Sequence, residues 1–489
     1  MKKELIKSLK KYKWQILIEI ILIIISVIFI AYPSKIVGKM IDLLYNAESN
    51  KSEIIKSIVQ LLSVSIGVLI TRVLWKNLDF RLNVYIDKDL RDRLFTKLLK
   101  TKVKALNKIK NGEIMSYFFS DLRKVTMTTA KFISTGTRII ANFTIAIIMM
   151  SNSANIKLTL VSLIPIFMTI VVIILIRNRM DKSFKLAQKS FTELSEYVQE
   201  STDSIRTMKA FCGEEKQINE FEFKNATLKK NNINVSINQN LLFVCVSLGF
   251  GIAYAISLLY GSKLVLQGQI SIGDFIAFNG YLAILEGPVN WIPWLFGRAK
   301  KFKVSFDRLN KMFKLPEEEI DNFEESNEEK LNGDIEIKNL TYNYPGYIET
   351  VLENININIK KGESLGIIGV VGSGKTTLMN LLLKLYDVER GKIFIDGKDI
   401  NDIPVKTIRD NICYITQDNF LFSATLKENI NLFKDEYKDE DIEDSTKQAM
   451  IYDEISHMDD GINTVIGEKG IDLSGGQKQR VVISRAFLN

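Results

Sequence analysis

The chain has 489 residues, of which 46% are hydrophobic, and a formal net charge of +8 at pH 7. Its three cysteines are too few and too scattered for a disulfide framework, and they form no CxxC pair for a metal site. The basic residues are spread over many predicted helices without a compact basic and aromatic face, so the charge does not indicate binding to nucleic acid.

Hydrophobic residues are concentrated in long runs within the first 300 positions. Each run is about as long as the 20 residues that a helix needs to cross a bilayer. A buried helix of a soluble protein is the alternative for any single run, but several such runs with charged flanks predict a membrane domain. The first run is too long, and lacks a small-residue cleavage site, for a removable signal peptide. The six runs are Trp14–Tyr32, Ile54–Leu74, Ile133–Met150, Leu158–Ile176, Leu241–Tyr260 and Ile272–Phe296.

The distribution of charge predicts the orientation. Residues 1–13 hold six lysines and one acid, and residues 77–131 and 177–230 each hold more than ten lysines and arginines. The connections after the first, third and fifth runs are short and poorer in basic residues. The positive-inside rule therefore places both termini and the two long segments in the cytoplasm of a multi-pass membrane protein.

The two long basic segments are predicted to be helical hairpins that extend into the cytoplasm. Both are too amphipathic to insert, and a helix of about 25 residues is roughly 40 Å long. We expect the hairpin tips at Gly112–Phe119 and Thr202–Phe211.

Polar residues inside the runs are the sequence's clue to a cargo. Glu286 shares a helical face with Asn279 and Asn290 in the sixth run. A charge in mid-bilayer costs about 2.5–3.5 kcal/mol, so Glu286 should face a cavity or a partner. Cargo contact and a structural hydrogen bond beside Gly287 and Pro288 both remain open. Glu19, near the cytoplasmic end of the first run, is expected to snorkel.

An acidic segment separates the membrane domain from the rest of the chain. Residues 316–330 contain eight acids and one lysine, a composition that predicts an exposed linker. We therefore predict a transmembrane domain at 1–315, a linker at 316–332 and a further domain at 333–489.

A phosphate-binding loop is predicted in this last domain. Its sequence is Gly369-Val370-Val371-Gly372-Ser373-Gly374-Lys375-Thr376-Thr377, which fits G-x-x-x-x-G-K-[ST]. Ser364–Ile368 predicts a short buried strand before the loop, and Thr377–Leu383 predicts a helix after it. Glycines let successive N–H groups point inward, Lys375 would reach the β- and γ-phosphates, and the Thr376 hydroxyl would ligate Mg²⁺.

A second motif follows about 100 residues later, with the sequence Leu473-Ser474-Gly475-Gly476-Gln477. Together the two motifs resemble those of ABC transporter ATPases. The resemblance implies an all-α six-helix transmembrane domain followed by an α/β P-loop (RecA-like) ATP-binding domain with a helical subdomain. It also implies that Leu473–Gln477 meets the nucleotide held by a partner subunit, and that the hairpin tips are coupling helices.

Two further segments resemble the family's nucleotide-binding motifs. Tyr344 resembles the aromatic A-loop residue that stacks on adenine, although a strand-edge aromatic is the alternative. Gln417 resembles the Q-loop glutamine that reaches Mg²⁺ and the attacking water. Thr464–Gly470 resembles the loop that contacts the membrane domain in exporters.

The sequence departs from the family after Arg485. The family continues into the Walker B aspartate, the general-base glutamate and the switch histidine, and no catalytic residue is assigned here. Asp396 follows a hydrophobic run but precedes both Gln417 and the second motif, so we expect a turn residue. His457, the sole histidine, also precedes that motif. We therefore expect a C-terminally truncated ATPase that does not hydrolyse ATP.

These observations predict one half of a dimeric exporter in the plasma membrane, with ATP and Mg²⁺ as cofactors and an unknown cargo. The second half can be an identical or a different subunit. An importer of metal chelates, a channel or regulatory subunit of the same fold, and a soluble ATPase with apolar core helices are the alternatives.

Overall fold

The computed structural model describes residues 1–45, 51–318, 330–344, 349–434, 436–467 and 473–488, which form two compact units. Unit 1 comprises Met1–Leu99 and Ile109–Leu315. Unit 2 comprises Lys100–Lys108 and Pro316–Asn489, so a short segment from the middle of the first domain belongs to the second unit. Residues 319–329 of the predicted linker and residues 468–470 of the predicted membrane-contact loop lie outside the described residues.

Unit 1 is helical, and five of its described helical stretches are long and apolar enough to cross a membrane. Those stretches are Lys13–Tyr45, Lys51–Leu99, Asn111–Ser153, Ile156–Asp203 and Glu214–Leu266. They contain the first five predicted runs. In chain order the helices are α1 (Lys2–Lys11), α2 (Lys13–Tyr45), α3 (Lys51–Leu99), α4 (Val103–Leu106, in unit 2), α5 (Asn111–Ser116), α6 (Leu122–Ser153), α7 (Ile156–Asp203), α8 (Ile205–Ala210), α9 (Glu214–Leu266), α10 (Ile272–Ile284) and α11 (Glu286–Phe313).

The sixth predicted run is helical but broken. It forms α10 and the first part of α11, with the break at Leu285. Pro288 has no N–H to donate to the carbonyl of Ile284, and its ring clashes with that carbonyl, so the helix ends there. The break also separates the helical face that Glu286 was expected to share with Asn279.

The two predicted hairpins follow the prediction in one case and correct it in the other. The turn between α7 and α9 contains α8, within the predicted tip Thr202–Phe211. The other tip was misplaced, because Gly112–Phe119 lies in α5 and in a π-helical turn, Tyr117–Asp121, that leads into α6. The chain reverses earlier, between Leu99 and Asn111, where lysine-rich residues find partners in unit 2.

Glu19 does not snorkel. Its side chain is only 2% exposed, and it lies beside Asp79 of α3. Lys131 of α6 donates to the Asp79 carboxylate at 2.5 Å. The partly exposed Lys131 thus offsets the charge of the buried Asp79, which lowers the cost of keeping that carboxylate inside an apolar helix bundle.

Unit 2 begins with an antiparallel sheet in the order β2-β1-β3-β4. The strands are β1 (Ile335–Tyr342), β2 (Leu352–Ile359), β3 (Ile393–Ile395) and β4 (Lys398–Asp399). The predicted strand Ser364–Ile368 is wrong: it forms no ladder with any described strand, and Ile368 is 98% exposed. A strand requires a neighbour for its N–H and C=O groups, and an apolar pattern does not provide one.

Six α-helices are described in the rest of unit 2. They are α12 (Lys375–Leu382), α13 (Val405–Asn411), α14 (Leu426–Ile430), α15 (Asp439–Gln448), α16 (Tyr452–Ser456) and α17 (Gly475–Leu488). Residues of α14 to α17 and their connections form an apolar core of their own, separate from the core under the sheet. This is the expected helical subdomain.

Candidate nucleotide-binding site

The phosphate loop has the backbone that the glycine pattern predicts. Gly372 and Gly374 have left-handed φ angles of +88° and +85°, a conformation that glycine adopts without a steric penalty. Gly374 is also the N-cap of α12, so the helix begins at Lys375 directly after the turn. The N–H groups at the start of α12 and its positive dipole end therefore lie next to the loop.

Lys375 folds back over the loop. Its ammonium group donates to the carbonyl oxygens of Gly369 at 2.7 Å and Val370 at 2.8 Å, and to Ser373 Oγ at 3.2 Å. All three partners are neutral, and no ion pair of Lys375 occurs among the described residues. The cation is thus held at the loop with its charge uncompensated, which suits an anionic ligand such as a polyphosphate.

The two threonines after Lys375 differ in their surroundings. Thr376 is exposed, whereas Thr377 is buried and its hydroxyl lies 3.0 Å from the Tyr344 hydroxyl. The exposed hydroxyl beside the loop fits the Mg²⁺ ligand predicted from the sequence. The buried one connects the loop helix to the aromatic segment.

Tyr344 belongs to an aromatic cluster rather than standing alone at a strand edge. Its ring meets Tyr342 edge-on at 5.4 Å between centroids and Tyr386 edge-on at 5.1 Å. These contacts and the bond to Thr377 fix the half-buried ring next to the start of α12.

Gln417 lies in an exposed turn, where the Thr416 hydroxyl donates to the carbonyl of Asp418 at 2.7 Å. No hydrogen bond joins Gln417 to the phosphate loop among the residues that the structure describes. The structure therefore places the glutamine at the surface without bringing it to the loop.

The second motif forms the start of α17. Leu473 is buried in the core of the helical subdomain, and Ser474 caps the helix. Its N–H donates to Gln477 Oε1 at 2.8 Å, while the Gln477 N–H donates to Ser474 Oγ at 3.3 Å. This reciprocal pair is a capping box. It fixes the helix N-terminus and leaves Ser474, Gly475 and Gly476 exposed.

The chain itself does not require glycine at 475 or 476. A Cβ atom added at either position would meet nothing within 4 Å. The absence of side chains therefore leaves an open approach to the N–H groups at the N-terminus of a 14-residue helix. This is the geometry of an anion site that a ligand reaches from outside.

Sequence reasoning missed the side chains that hold this helix in place. Glu454 of α16 accepts from Gln477 Nε2 at 2.8 Å and also pairs with Arg480. Arg485 donates to the Asn429 carbonyl at 2.6 Å and to the Phe420 carbonyl at 2.9 Å. No local pattern marks Glu454, because its partners are more than 20 residues away in sequence.

The segment Lys100–Lys108 was also missed as part of this unit. Lys102 Nζ lies 3.0 Å from Asp387 Oδ1, and Asn107 Nδ2 donates to the Tyr386 hydroxyl at 2.8 Å. Tyr386 is the residue whose ring contacts Tyr344. The high density of lysines at 100–110 was the sequence signal that could have indicated contacts of this segment with acidic residues of unit 2.

Asp396 is a turn residue, as the sequence order indicated. It has a φ of +51° between β3 and β4, and its carboxylate accepts the N–H groups of Asn332, Gly333 and Asp334 at 2.6–3.0 Å. Partial burial alone would raise the pKa of this carboxyl, but the three donors lower it below its usual value. Asp396 is therefore engaged by the segment that precedes β1.

Two family profiles match the chain. The ABC transporter transmembrane region matches residues 16–289, and the ABC transporter profile matches residues 352–489. The chain belongs to the ABC transporter family. Its fusion of the two regions is the half-transporter architecture. Proteins of this family bind ATP with Mg²⁺ and use it to drive transport, and half-transporters generally dimerise in a lipid bilayer.

Curated relatives extend over nearly the whole chain. One is the "Probable multidrug resistance ABC transporter ATP-binding/permease protein YheI" of Bacillus subtilis, 29% identical over 479 residues, covering 98% of this chain and 82% of the relative. Another is the multidrug resistance-like ATP-binding protein MdlA of Escherichia coli, 28% identical over 470 residues, covering 96% and 79%.

The loop geometry yields a matched pair of substitutions. An alanine Cβ at Gly374 would lie 2.7 Å from Leu352 Cδ2 and 2.8 Å from the Val351 carbonyl oxygen, whereas at Gly372 it would meet nothing. Both variants incur the left-handed penalty of roughly 1–2 kcal/mol. We expect Gly374→Ala to lower the thermal unfolding temperature by several degrees more than Gly372→Ala, because only the former adds a steric clash. Equal unfolding temperatures would show that the packing around Gly374 is not as described.

Proposed function

We propose that this ABC transporter is one half of an ATP-driven exporter whose nucleotide sites are completed by a second subunit. The observation that carries the proposal is the open, capped N-terminus of α17. Ser474, Gly475 and Gly476 are exposed there, and the chain has no packing reason for its two glycines. A phosphate held in another subunit's loop is the anion that this terminus suits.

The residues of the phosphate loop would hold the nucleotide of the same chain. Lys375 would give up its hydrogen bonds to three neutral oxygens of the loop and bind the β- and γ-phosphates instead. Backbone N–H groups of residues 369–377 would surround these phosphates. Thr376 and Gln417 would hold Mg²⁺, and Tyr344 would support the adenine with its ring. Bound ATP supplies negative charge at the loop and the free energy of its terminal phosphate bond.

Residues of unit 2 suggest how the loop would communicate with the hairpin tip. Thr377 touches Tyr344, Tyr344 touches Tyr386, and Tyr386 accepts the hydrogen bond of Asn107. A displacement of the loop helix would therefore reach Lys100–Lys108 through three direct contacts. We propose that this segment, together with the tip around α8, transmits nucleotide-driven motion to the spans.

Charge and the relatives support a proposal for the direction of transport and for the location. The basic N-terminal residues and hairpins favour a cytoplasmic position for both termini in the plasma membrane. The named relatives are described as multidrug resistance proteins. We propose export of a cargo from the cytoplasm, with an identical or a related half-transporter as partner.

Two substitutions separate the roles of the loop and of α17. Lys375→Ala removes the charge-assisted contact to the phosphates, so we expect photo-labelling by an azido-ATP analogue to weaken at least tenfold. Gly475→Asp places a carboxylate at a terminus that faces another subunit, so labelling of the loop in the same chain should remain within about twofold at protein concentrations where chains are separate.

A comparable loss of labelling in both variants would contradict this division of roles. It would mean that α17 acts on the loop of its own chain. Size-exclusion profiles and membrane insertion serve as controls, since neither substitution touches an apolar span.

We further infer that the polypeptide of residues 1–489 binds nucleotide without turning it over. No carboxylate hydrogen-bonds to the phosphate loop among the described residues, and Asp396 is engaged elsewhere. The loss of a general base typically costs 10²- to 10⁴-fold in rate. Phosphate release by this polypeptide should therefore equal that of its Lys375→Ala variant. Mg²⁺-dependent turnover that Lys375→Ala abolishes would contradict the inference.

A further inference from the structure

Unit 1 contains a large cavity between α6, α7, α9 and α11, with part of the π-helical turn at its rim. Its volume is about 1090 Å³, slightly above the range of about 300–1,000 Å³ that is typical for pockets of small organic ligands. Asn290, one of the polar residues singled out in the sequence, lines it, whereas Glu286 and Asn279 do not. Asn279 Oδ1 instead accepts a hydrogen bond from the Ser257 hydroxyl at 2.9 Å.

One end of the cavity is apolar. Ile173, Leu242 and Val246 are almost fully buried there and belong to the main core of unit 1. Met127, Met180 and Phe243 also line the wall. Methionine and aromatic side chains adapt to different apolar shapes, so this end suits a hydrocarbon group rather than one rigid scaffold.

The other end is strongly basic. Seven lysines and arginines line the cavity, against a single acid, Asp181. Asp181 pairs with Lys300 and, at 3.9 Å, with Arg177. Lys124 lies 4.0 Å from Asp121, just within ion-pair distance. The remaining four bases have no carboxylate partner among the described residues; they are Arg123, Lys185, Arg298 and Lys301.

Aromatic faces hold two of these bases at the wall. Arg298 Cζ lies 4.2 Å from the ring centroid of Trp294, and Lys301 Nζ lies 5.4 Å from that of Phe184. The positive-inside rule explains basic residues at the cytoplasmic ends of spans, but not their convergence on a concave surface that continues into an apolar core. A cationic ligand would be repelled here, whereas an anion would find uncompensated partners.

We infer that this cavity binds an anionic amphiphile, with the acidic head group at Lys185, Arg298 and Lys301 and the hydrocarbon part against Ile173 and Leu242. The head group can be a carboxylate or a phosphate, and the ligand can come from the cytoplasm or from the membrane leaflet. That this ligand is also the transported cargo rests on the proposed function; its binding does not.

The experiment measures binding to the full chain without nucleotide, in discs of neutral phospholipid. The probe is dibromostearate, whose bromine atoms quench the fluorescence of a nearby tryptophan. Its quenching is compared with that of the dibrominated alcohol and the dibrominated amine of the same chain length. The signal of Trp294 is the difference between the wild type and Trp294→Phe. We expect saturable quenching by the carboxylate at a concentration at least tenfold lower than by the alcohol or the amine.

A matched pair of variants tests the basic end. Lys185→Gln with Lys301→Gln should weaken dibromostearate binding at least tenfold and leave quenching by the alcohol unchanged, which also shows that the cavity remains folded. Lys182→Gln with Lys229→Gln removes the same charge from exposed positions on α7 and α9 outside the cavity lining, and should change binding less than twofold.

The source of the ligand is resolved by a second arm with brominated phosphatidylglycerol in the discs. Saturation by either anion supports the inference, and the tighter one identifies the source. Equal quenching by carboxylate, alcohol and amine, or equal affinities for both double variants, would overturn it. A last arm adds ATP and Mg²⁺ to the loaded discs. Anion binding that the nucleotide leaves unchanged would keep the inference intact and contradict the transport proposal instead.

Discussion

The left-handed turn at Gly374 is the constraint on which the nucleotide-binding end of the chain depends. Because the turn has a φ of +85° and α12 begins at once, Lys375 can fold over the loop and Thr377 can face the Tyr344 hydroxyl. Leu352 and Val351 press against the outer side of the turn and leave no space for a side chain. From that single turn a series of contacts extends through Tyr344 and Tyr386 to Asn107, so one backbone conformation positions both the anion-binding groups and a hairpin tip.

Charge organises the two units in different ways. In unit 1 the buried Asp79 lies beside the cation of Lys131, while four bases of the cavity have no carboxylate partner among the described residues. In unit 2, Lys375 contacts only neutral oxygens among the described residues, and the N-terminus of α17 is exposed. The cavity of unit 1 and the phosphate loop and α17 of unit 2 therefore both suit anions. The cavity adds an apolar surface, whereas unit 2 adds backbone N–H groups. This difference distinguishes a site for an amphiphile from a site for a polyphosphate.

The sequence was sufficient where chemistry is local. The glycine spacing at 369–374 predicted the loop, the alternation of apolar runs and basic segments predicted the long helices, and the order of motifs predicted that Asp396 is a turn residue. It was insufficient where a feature depends on distant partners. Ser364–Ile368 has the composition of a strand but pairs with no strand among the described residues. The tip near Gly112 was misplaced because Lys102 is held by Asp387 and Asn107 by the Tyr386 hydroxyl. No sequence pattern indicated the contacts of Glu454 with Gln477 and Arg480.

The central claim is that the N-terminus of α17 meets a phosphate loop of another subunit. The most direct test attaches a photoreactive maleimide to Ser474→Cys in a chain whose three natural cysteines are replaced, and then identifies the cross-linked peptide with and without an ATP analogue. The account predicts an ATP-dependent product of two chains, joining residue 474 to a peptide with the pattern G-x-x-x-x-G-K-[ST]. A cross-link to Gly369–Thr377 within a single chain, or a product that forms equally without nucleotide, would contradict it.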